Sequence, residues 1–377
     1  MKIARLLQSQ LEQALLPGKV IVLYGPRQVG KTTLVHDLIE RTSPSGKFIN
    51  ADELSYREQL GSQNLQKLNE LVEGVDLLII DEAQRVSNIG LNLKILIDAN
   101  PKLTIIATGS ASFELANKIN EPLTGRKLTF NLYPISYPEL RNTIGTFEAK
   151  SQLERWLIWG GYPEIVTTRP QLRARLLDEL VGSYLFRDLL ELEGLRRADK
   201  LVDLLRLLAF QIGFEVSKSE LASNLGINRQ TVDRYLDLLE KAFVIYRVGG
   251  FSRNLRKEIN KNARYYFFDN GVRNSLIQNY NSLTMRNDVG QLWENFLMIE
   301  RAKTNAYNGR FPNRYFWRTY DQKEIDLIEE QGNFLSGFEF KWKSGKIKKA
   351  TQKEFQNSYP NSSLHLISQE NFDHFLI

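Results

Sequence analysis

The sequence predicts an α/β fold with a doubly wound, mainly parallel sheet for the first part of its 377 residues. Three apolar runs of strand length support this prediction: residues 20–24, 77–80 and 103–107. The first run leads into Gly-x-x-x-x-Gly-Lys-Thr and then into a helical pattern. Asp-Glu follows the second run, and Thr-Gly-Ser follows the third. Strands that alternate with helices in this way build parallel sheets with helices on both faces.

The turn after the first strand, GPRQVGKTT, has the P-loop pattern in the strand–turn–helix context that a P-loop requires. Its glycines allow backbone N–H groups to surround phosphates at a helix N-terminus. Lys31 would reach the β- and γ-phosphates, and the Thr32 hydroxyl would hold Mg²⁺. ATP and Mg²⁺ are therefore the expected ligands, and a chance match is the competing explanation. The predicted nucleotide-binding residues in this turn are Gly25, Pro26, Arg27, Gln28, Val29, Gly30, Lys31, Thr32 and Thr33.

Polar residues at the ends of the next strands complete the predicted ATPase site. Asp81 would bind Mg²⁺, and Glu82 would orient and polarise the attacking water. Ser110 or Thr108 would sense the terminal phosphate, and a simple turn is the alternative explanation. Arg126 is the candidate arginine finger, because a guanidinium fork stabilises charge on a transferring phosphoryl group. The alternative for Arg126 is a solvent-exposed arginine.

The composition limits the classes of site. There is no cysteine and there are three histidines, which excludes disulfides, thiolate metal sites and a cysteine nucleophile. Any metal must be held by oxygen ligands, which suits Mg²⁺. No apolar run approaches the roughly 20 residues that span a bilayer, and the N-terminus does not resemble a signal peptide. We therefore expect a cytoplasmic protein with no membrane partner, and the net charge of +6 favours nucleic acid only weakly.

Residues 201–270 have the element order of a winged helix-turn-helix: helix, short helix, turn, helix, strand. The third helix begins with Arg229, Gln230 and Thr231 and continues to Arg234, and these side chains suit contacts with DNA. The expected wing is basic. Its basic residues are Arg247, Arg253, Arg256, Lys257, Lys261 and Arg264. Winged helices also bind proteins, so the sequence leaves both partners open.

The C-terminal part contains a second candidate site on a predicted hairpin. Strand alternation places Glu339 and Lys341 on one face, and Asp326 lies on the partner strand. Together with the helical Glu294, these residues have the pattern of metal-dependent phosphodiester cleavage. The three carboxylates would hold the metal, and Lys341 would act on the attacking water. The alternative is the wet face of an amphipathic strand.

The chain resembles a family of bacterial and archaeal P-loop ATPases that join an AAA-like domain to a C-terminal domain of unknown function. The matching stretches are GPRQVGKTT, LLIIDEAQ, ATGSAS, LTGRKLTFNLYPISYPEL, GGYPEIV, YYFFDNGVRN, GQLWENFLMIE, YFWRTYDQKEIDLI and FEFKWK. The resemblance implies ATP binding and hydrolysis, followed by a winged helix and a PD-(D/E)XK nuclease-like fold. Ile325 stands where that motif has proline, so the chain departs from the motif at this position.

The expected domains are an AAA-like ATPase domain (1–145), a helical connector (146–200), a winged helix (201–270) and a nuclease-like domain (271–377). The expected function is a Mg²⁺-dependent ATPase whose nucleotide state controls DNA engagement by the C-terminal domains. The alternatives are a non-catalytic regulator switched by ATP and a signalling NTPase with protein-binding modules. Nuclease activity and assembly into a homo-oligomer are further alternatives.

Overall fold

The computed structural model describes residues 2–109, 119, 122–182, 198–252, 262–319 and 321–377. The chain divides into two units. The first comprises residues 1–135 with 241–243, and the second comprises residues 136–240 with 244–377. Among the described residues, no helix has both the length and the apolar character needed to cross a bilayer.

The first unit is built on a five-stranded parallel sheet with the order β2-β3-β4-β1-β5. Its strands are β1 (Val20–Tyr24), β2 (Lys47–Asn50), β3 (Leu77–Asp81), β4 (Thr104–Gly109) and β5 (Lys127–Asn131). Its helices are α1 (Leu7–Gln13), α2 (Lys31–Thr42), α3 (Leu54–Leu60), α4 (Leu65–Glu70) and α5 (Ile89–Ala99). All residues of β1, β3 and β4 are buried. Strands buried along their whole length need cover on both faces, and the α/β fold with a parallel sheet is confirmed.

The first unit ends at residue 135, before the expected domain end at 145. The next helix, α6 (Tyr137–Ile144), belongs to the second unit. It begins with a buried capping box in which Ser136 and Glu139 satisfy each other's backbone N–H groups. The Tyr137 N–H donates to a carboxylate oxygen of Glu300 at 2.6 Å, and this bond fixes the start of α6 within the second unit.

The second unit contains the remaining helices and strands of the described residues. Its other helices are α7 (Thr146–Ser151), α8 (Leu153–Trp159), α9 (Pro163–Thr167), α10 (Arg173–Val181), α11 (Ala198–Phe210), α12 (Lys218–Leu225), α13 (Arg229–Lys241), α14 (Asn270–Leu276), α15 (Val289–Tyr307), α16 (Lys349–Ser358) and α17 (Phe372–Phe375). Its strands are β6 (Glu215–Val216), β7 (Ile245–Gly250), β8 (Ala263–Phe267), β9 (Asn313–Arg318), β10 (Glu324–Gln331), β11 (Phe334–Phe340) and β12 (Ser362–Ile367).

These seven strands form one mixed sheet with the order β12-β11-β10-β9-β7-β8-β6. β7 pairs antiparallel with β8 and parallel with β9, where Gly249 lies opposite Tyr315. The sheet is therefore continuous across residue 270, where the sequence predicts a domain boundary. Pairing with β9 satisfies the backbone groups of a β7 edge that would otherwise face solvent.

Two carboxylates, the buried Asp269 and the half-buried Asp288, hold the helical part of the second unit together. Asp269 accepts a hydrogen bond from the Gly161 N–H at 2.7 Å, and Gly160 packs directly on the Asp269 carboxyl group. Asp288 pairs with the buried guanidinium groups of Arg273 at 2.5 Å and Arg286 at 2.8 Å. Since buried charges are costly unless paired, these contacts fix the approach of the segments that carry them.

Candidate functional site

The predicted phosphate-binding residues Gly25 to Thr33 form one continuous segment, made of the turn after β1 and the first three residues of α2. Gly30 is the N-cap of α2 and has φ +94°, a left-handed conformation that favours glycine. Gly25 lies against the backbone that follows β5, because a Cβ added to it would be 2.2 Å from the Leu132 carbonyl oxygen. Glycine is thus required at both ends of the turn, for different physical reasons.

Lys31 begins α2, and its side chain folds back into the turn. It is 5% exposed, and its Nζ donates to the carbonyl oxygens of Gly25 at 2.8 Å and Pro26 at 2.9 Å. The ammonium charge therefore lies within the turn, beside the N-terminus of α2. A helix N-terminus and a buried ammonium together favour an anion at this position.

Asp81 ends β3 and accepts hydrogen bonds from two threonine hydroxyl groups. The Thr32 hydroxyl donates to Oδ2 at 2.7 Å, and the Thr108 hydroxyl donates to Oδ1. The Glu82 N–H donates to the Thr108 Oγ1 at 3.3 Å. The structure brings these four predicted residues together, because β1, β3 and β4 are parallel neighbours whose carboxyl ends meet at one edge. Their hydroxyl and carboxylate oxygens are ligands that suit Mg²⁺.

Glu82 has a left-handed backbone with φ +53°. Its carboxylate accepts a hydrogen bond from the Gln84 Nε2 at 2.5 Å, and Gln84 is 6% exposed. The sequence did not single out Gln84, although it lies two positions after Glu82 in the same Asp-Glu-Ala-Gln run. In this structure the Glu82 carboxylate is therefore held by a side-chain amide.

Arg5 is a second residue that sequence reasoning missed. It precedes α1, and its guanidinium donates to the Val29 carbonyl oxygen at 2.7 Å and to the Tyr133 carbonyl oxygen at 2.6 Å. These partners lie 24 and 128 positions away along the chain. No pattern of neighbouring residues in the sequence predicts contacts over such distances along the chain. Arg5 thus ties the phosphate-binding turn to the segment after β5.

Two predicted contacts of the terminal phosphate have different outcomes. Ser110 lies outside the described residues. Arg126 lies at the opposite end of the sheet: its carbonyl oxygen accepts from the Val20 N–H at the start of β1, whereas the turn follows the end of β1. Five residues of strand separate these positions by about 16 Å. Arg126 pairs instead with Asp98 at 2.9 Å, so its assignment as a finger toward the same chain's P-loop is wrong.

The second candidate site lies on α15, β10 and β11. Glu294 accepts a hydrogen bond from the Tyr266 hydroxyl at 2.7 Å, and the Asp326 Oδ2 accepts from the Phe340 N–H at 2.8 Å. Lys341 pairs with the Glu339 Oε1 at 2.7 Å. Each predicted carboxylate therefore has one oxygen paired with a protein group, whereas the Glu339 Oε2 is buried without a hydrogen-bond partner among the described residues.

Arg264, on β8, enters this cluster and is 4% exposed. One of its guanidinium nitrogens lies 3.5 Å from Glu294 and 3.8 Å from Asp326, and another donates to Glu324 at 2.9 Å. Its guanidinium also packs over the Phe316 ring, with 4.6 Å to the centroid. The prediction that Arg264 belongs to a basic wing is therefore wrong, since its charge faces buried carboxylates.

Burial raises the pKa of Glu294 to about 7, with further contributions from the charges of Glu324 and Glu339. Burial and the charges of Glu294 and Glu339 raise the pKa of Asp326 well above its ordinary value. Among the described residues, no three Asp, Glu or His side chains are arranged to hold a metal ion. The predicted ligand set of Glu294, Asp326 and Glu339 is corrected accordingly, since Arg264 supplies the positive charge between two of its members.

The helices expected to contact DNA are partly accessible. Arg229, Gln230 and Arg234 of α13 are exposed, and the Thr231 N–H is capped by the Asn228 side chain at 2.7 Å. Asp233 of the same helix pairs with Lys218. Four of the predicted wing residues lie outside the described residues: Arg253, Arg256, Lys257 and Lys261.

Comparison with known families matches three consecutive segments of the chain. Residues 17–141 match an AAA domain. Residues 150–283 and 289–374 match two domains of unknown function, DUF8612 and DUF4143 respectively. The last two matches assign no activity to the residues that they cover.

Among solved structures, the chain resembles a Thermotoga maritima RuvB Holliday junction branch migration motor with 18% identity and a TM-score of 0.34, over 65% of this chain and 90% of that one. It also resembles a Pyrococcus horikoshii STAND protein with a tetratricopeptide repeat sensor, with 13% identity and a TM-score of 0.33, over 82% of this chain and 48% of that one. Scores this low carry no argument about this chain.

Curated relatives provide the stronger similarity. The uncharacterised protein MJ1544 of Methanocaldococcus jannaschii is 26% identical over 323 residues, which cover 79% of this chain and 70% of the relative. The uncharacterised protein Rv2008c of Mycobacterium tuberculosis is 30% identical over 339 residues, which cover 88% of this chain and 72% of the relative. The chain therefore belongs to the family that includes Rv2008c, and its N-terminal unit carries an AAA domain.

Proposed function

We propose that the chain is a Mg²⁺-dependent ATPase that converts ATP to ADP and phosphate. The observation that carries this proposal is the convergence of Lys31, Thr32, Asp81 and Glu82 at the edge of the parallel sheet where α2 begins. The match of residues 17–141 to an AAA domain supports the same class of reaction.

In this proposal the backbone amides of the turn and the Lys31 ammonium bind the phosphate oxygens of ATP. Thr32 and Asp81 are the residues that would hold Mg²⁺, which when bound neutralises charge on the β- and γ-phosphates. The Thr108 hydroxyl group donates to the Asp81 carboxylate and accepts from the Glu82 N–H, so it fixes the position of both residues. Thr108 is also the described candidate for sensing the terminal phosphate, since Ser110 lies outside the described residues.

Glu82 is proposed to orient the attacking water and to accept its proton. The water oxygen forms a bond to the γ-phosphorus while the bond to the β–γ bridging oxygen breaks, so ADP leaves and phosphate remains. The Gln84 amide holds the Glu82 carboxylate in the present structure. Hydrolysis on this account requires that contact to open, so that the carboxylate is free to bind the water.

The test is ATP turnover by the full chain with Mg²⁺. Lys31→Ala should abolish turnover, and Glu82→Gln should lower it by about a hundredfold or more while ATP still binds. Lys102→Ala is the matched control, because Lys102 is exposed in the same unit and should leave turnover unchanged. Turnover that persists in Lys31→Ala would remove the P-loop from the mechanism.

We further propose that the nucleotide state of the first unit controls DNA engagement by the second. Support comes from the element order α11, β6, α12, α13, β7 and β8, in which β8 pairs antiparallel with both β6 and β7, as in winged helix-turn-helix modules. Duplex binding measured with ADP and with a non-hydrolysable ATP analogue tests the coupling. Equal affinity for duplex with ADP and with the ATP analogue would show that DNA binding does not depend on the nucleotide. Absence of duplex binding even at low salt would favour protein-binding modules.

The carboxylate cluster of the second unit is not proposed as a cleavage centre. Its geometry does not fit a metal held by Glu294, Asp326 and Glu339, and Arg264 already contacts two of these carboxylates. We therefore assign it no cleavage step.

A further inference from the structure

The connection between β11 and α16 carries a concentration of positive charge that none of the roles above uses. Residues 343–353, here called the lysine segment, contain five lysines and no acidic residue. All five side chains are exposed: Lys343, Lys346, Lys348, Lys349 and Lys353. None of them forms an ion pair within the described part of the chain, whereas the flanking Lys341 and Lys323 pair with Glu339 and Glu354. The charge of the segment is therefore not neutralised by the protein.

The lysine segment is anchored to a rigid part of the fold. Trp342, which precedes it, packs edge-on against the buried Trp293 with 5.4 Å between ring centroids. Phe355 of α16 is fully buried in the core of the seven-stranded sheet, beside Trp317. Both ends of the lysine segment are therefore held by aromatic packing.

Helix α13 is the other candidate surface for binding a polyanion, but it carries no net charge. On α13, Arg229, Arg234 and Lys241 are matched by equal numbers of acidic residues along the same helix. These acidic residues are Asp233, Asp237 and Glu240. A helix without net charge gains little from the phosphate backbone, which supplies most sequence-independent affinity. Among the surfaces described, the lysine segment has the stronger electrostatic attraction for phosphates.

We propose that the lysine segment is the surface through which the chain binds the phosphate backbone of duplex DNA without reading its sequence. The proposal rests on the DNA engagement proposed above and adds to it a phosphate-binding surface outside the winged-helix elements. Lysine ammonium groups bind phosphates as point charges and carry no base specificity. Residues 343–348 span at most about 17 Å when extended, and a duplex of that length carries about ten phosphate charges.

DNA is favoured over an anionic membrane surface because the segment has no apolar anchor. Among residues 335–376, all of which the structure describes, no large hydrophobic side chain is exposed; the exposed Phe334 and Ile377 lie outside the lysine segment. Membrane-surface helices combine basic residues with an apolar face that enters the lipid. In α16 the apolar Phe355 points into the protein core instead.

The test is duplex binding by the full chain, measured by fluorescence anisotropy at salt concentrations from about 50 to about 300 mM. In the segment variant, Lys346, Lys348 and Lys349 are replaced by Gln. The logarithmic salt slope should become shallower by about 0.9 per lysine removed, and affinity near 100 mM salt should fall on the order of a hundredfold. A control variant removes the same charge at three exposed sites elsewhere: Lys67→Gln, Lys102→Gln and Arg310→Gln. The control should bind duplex within about twofold of the wild type.

Three outcomes would overturn the proposal. If the segment variant binds duplex as the control does, DNA engagement survives but lies elsewhere, and Arg229→Gln with Arg234→Gln then tests α13. If the wild type binds no duplex in any nucleotide state, DNA engagement itself fails, although ATP turnover is measured separately. If replacing the lysines weakens binding to vesicles of phosphatidylserine and phosphatidylcholine but not binding to duplex, the segment is a lipid-binding surface. ATP turnover should be the same in wild type and segment variant, because the replaced residues lie outside the ATPase site.

Discussion

Gly25→Ala tests whether the phosphate-binding turn depends on its packing against the segment after β5. An added Cβ would lie 2.2 Å from the Leu132 carbonyl oxygen and 3.2 Å from its carbonyl carbon. Since Cβ atoms do not approach closer than 3.0 Å, the two backbones must separate by close to 1 Å. The Leu132 N–H donates to the Tyr24 carbonyl oxygen at 2.7 Å, so this separation also strains the bond that closes the end of β1.

Forced overpacking of this kind costs about 1–3 kcal/mol. A cost of about 2 kcal/mol borne by the turn corresponds to a roughly thirtyfold weaker affinity for ATP. The assay is calorimetric titration of the folded variant with ATP and Mg²⁺, together with thermal unfolding. Gly74→Ala is the control: Gly74 has φ +70° and nothing within 4 Å of an added Cβ, so it should lose stability without losing affinity. Wild-type affinity in Gly25→Ala would refute the reasoning.

Two further predictions concern the buried charges of the second unit. Asp288→Asn should destabilise the fold by about 3–5 kcal/mol in denaturant titration, because Arg273 and Arg286 would lose their carboxylate. Burial alone would raise the pKa of Asp288, but hydrogen bonds from Arg286 and the charge of Arg273 lower it to about 2 from 3.8. The stability difference should therefore stay constant above pH of about 4 and shrink as the pH falls toward about 2, and a difference that instead shrinks near neutral pH would contradict the assignment. Gly160→Ala should lower the thermal midpoint, since its Cβ would lie 2.0 Å from the Asp269 Oδ1 at a φ of +72°. An unchanged midpoint would show that this contact is not rigid.

The sequence was sufficient to predict structure where the determining residues are adjacent in the chain. The apolar run of β1, the two glycines of the turn and the acidic end of β3 each follow from residues adjacent in the chain. Parallel neighbours then place Thr32 and Asp81 together, as the 2.7 Å hydrogen bond shows. Local pattern and tertiary packing agree in this unit, which is why its fold could be predicted.

Prediction failed where residues distant in sequence determine the environment. Arg126 is an arginine, as a phosphate-contacting finger must be, but the direction of β5 places it at the end of the sheet opposite the P-loop. Arg264 was assigned to a solvent-facing wing from its basic neighbours. In the fold, β8 directs it toward Glu294 and Asp326. Arg5 could not be found because its two carbonyl partners are brought to it only by folding. Composition and spacing do not encode strand order or depth of burial.

The most direct test of the central claim is a calorimetric titration of the full chain with ATP in the presence of Mg²⁺. The account predicts binding at one site per chain that Lys31→Ala abolishes, because the Lys31 ammonium lies within the turn where the phosphates would bind. Absence of affinity for any nucleoside triphosphate in the folded wild type, or equal affinity in Lys31→Ala, would contradict it.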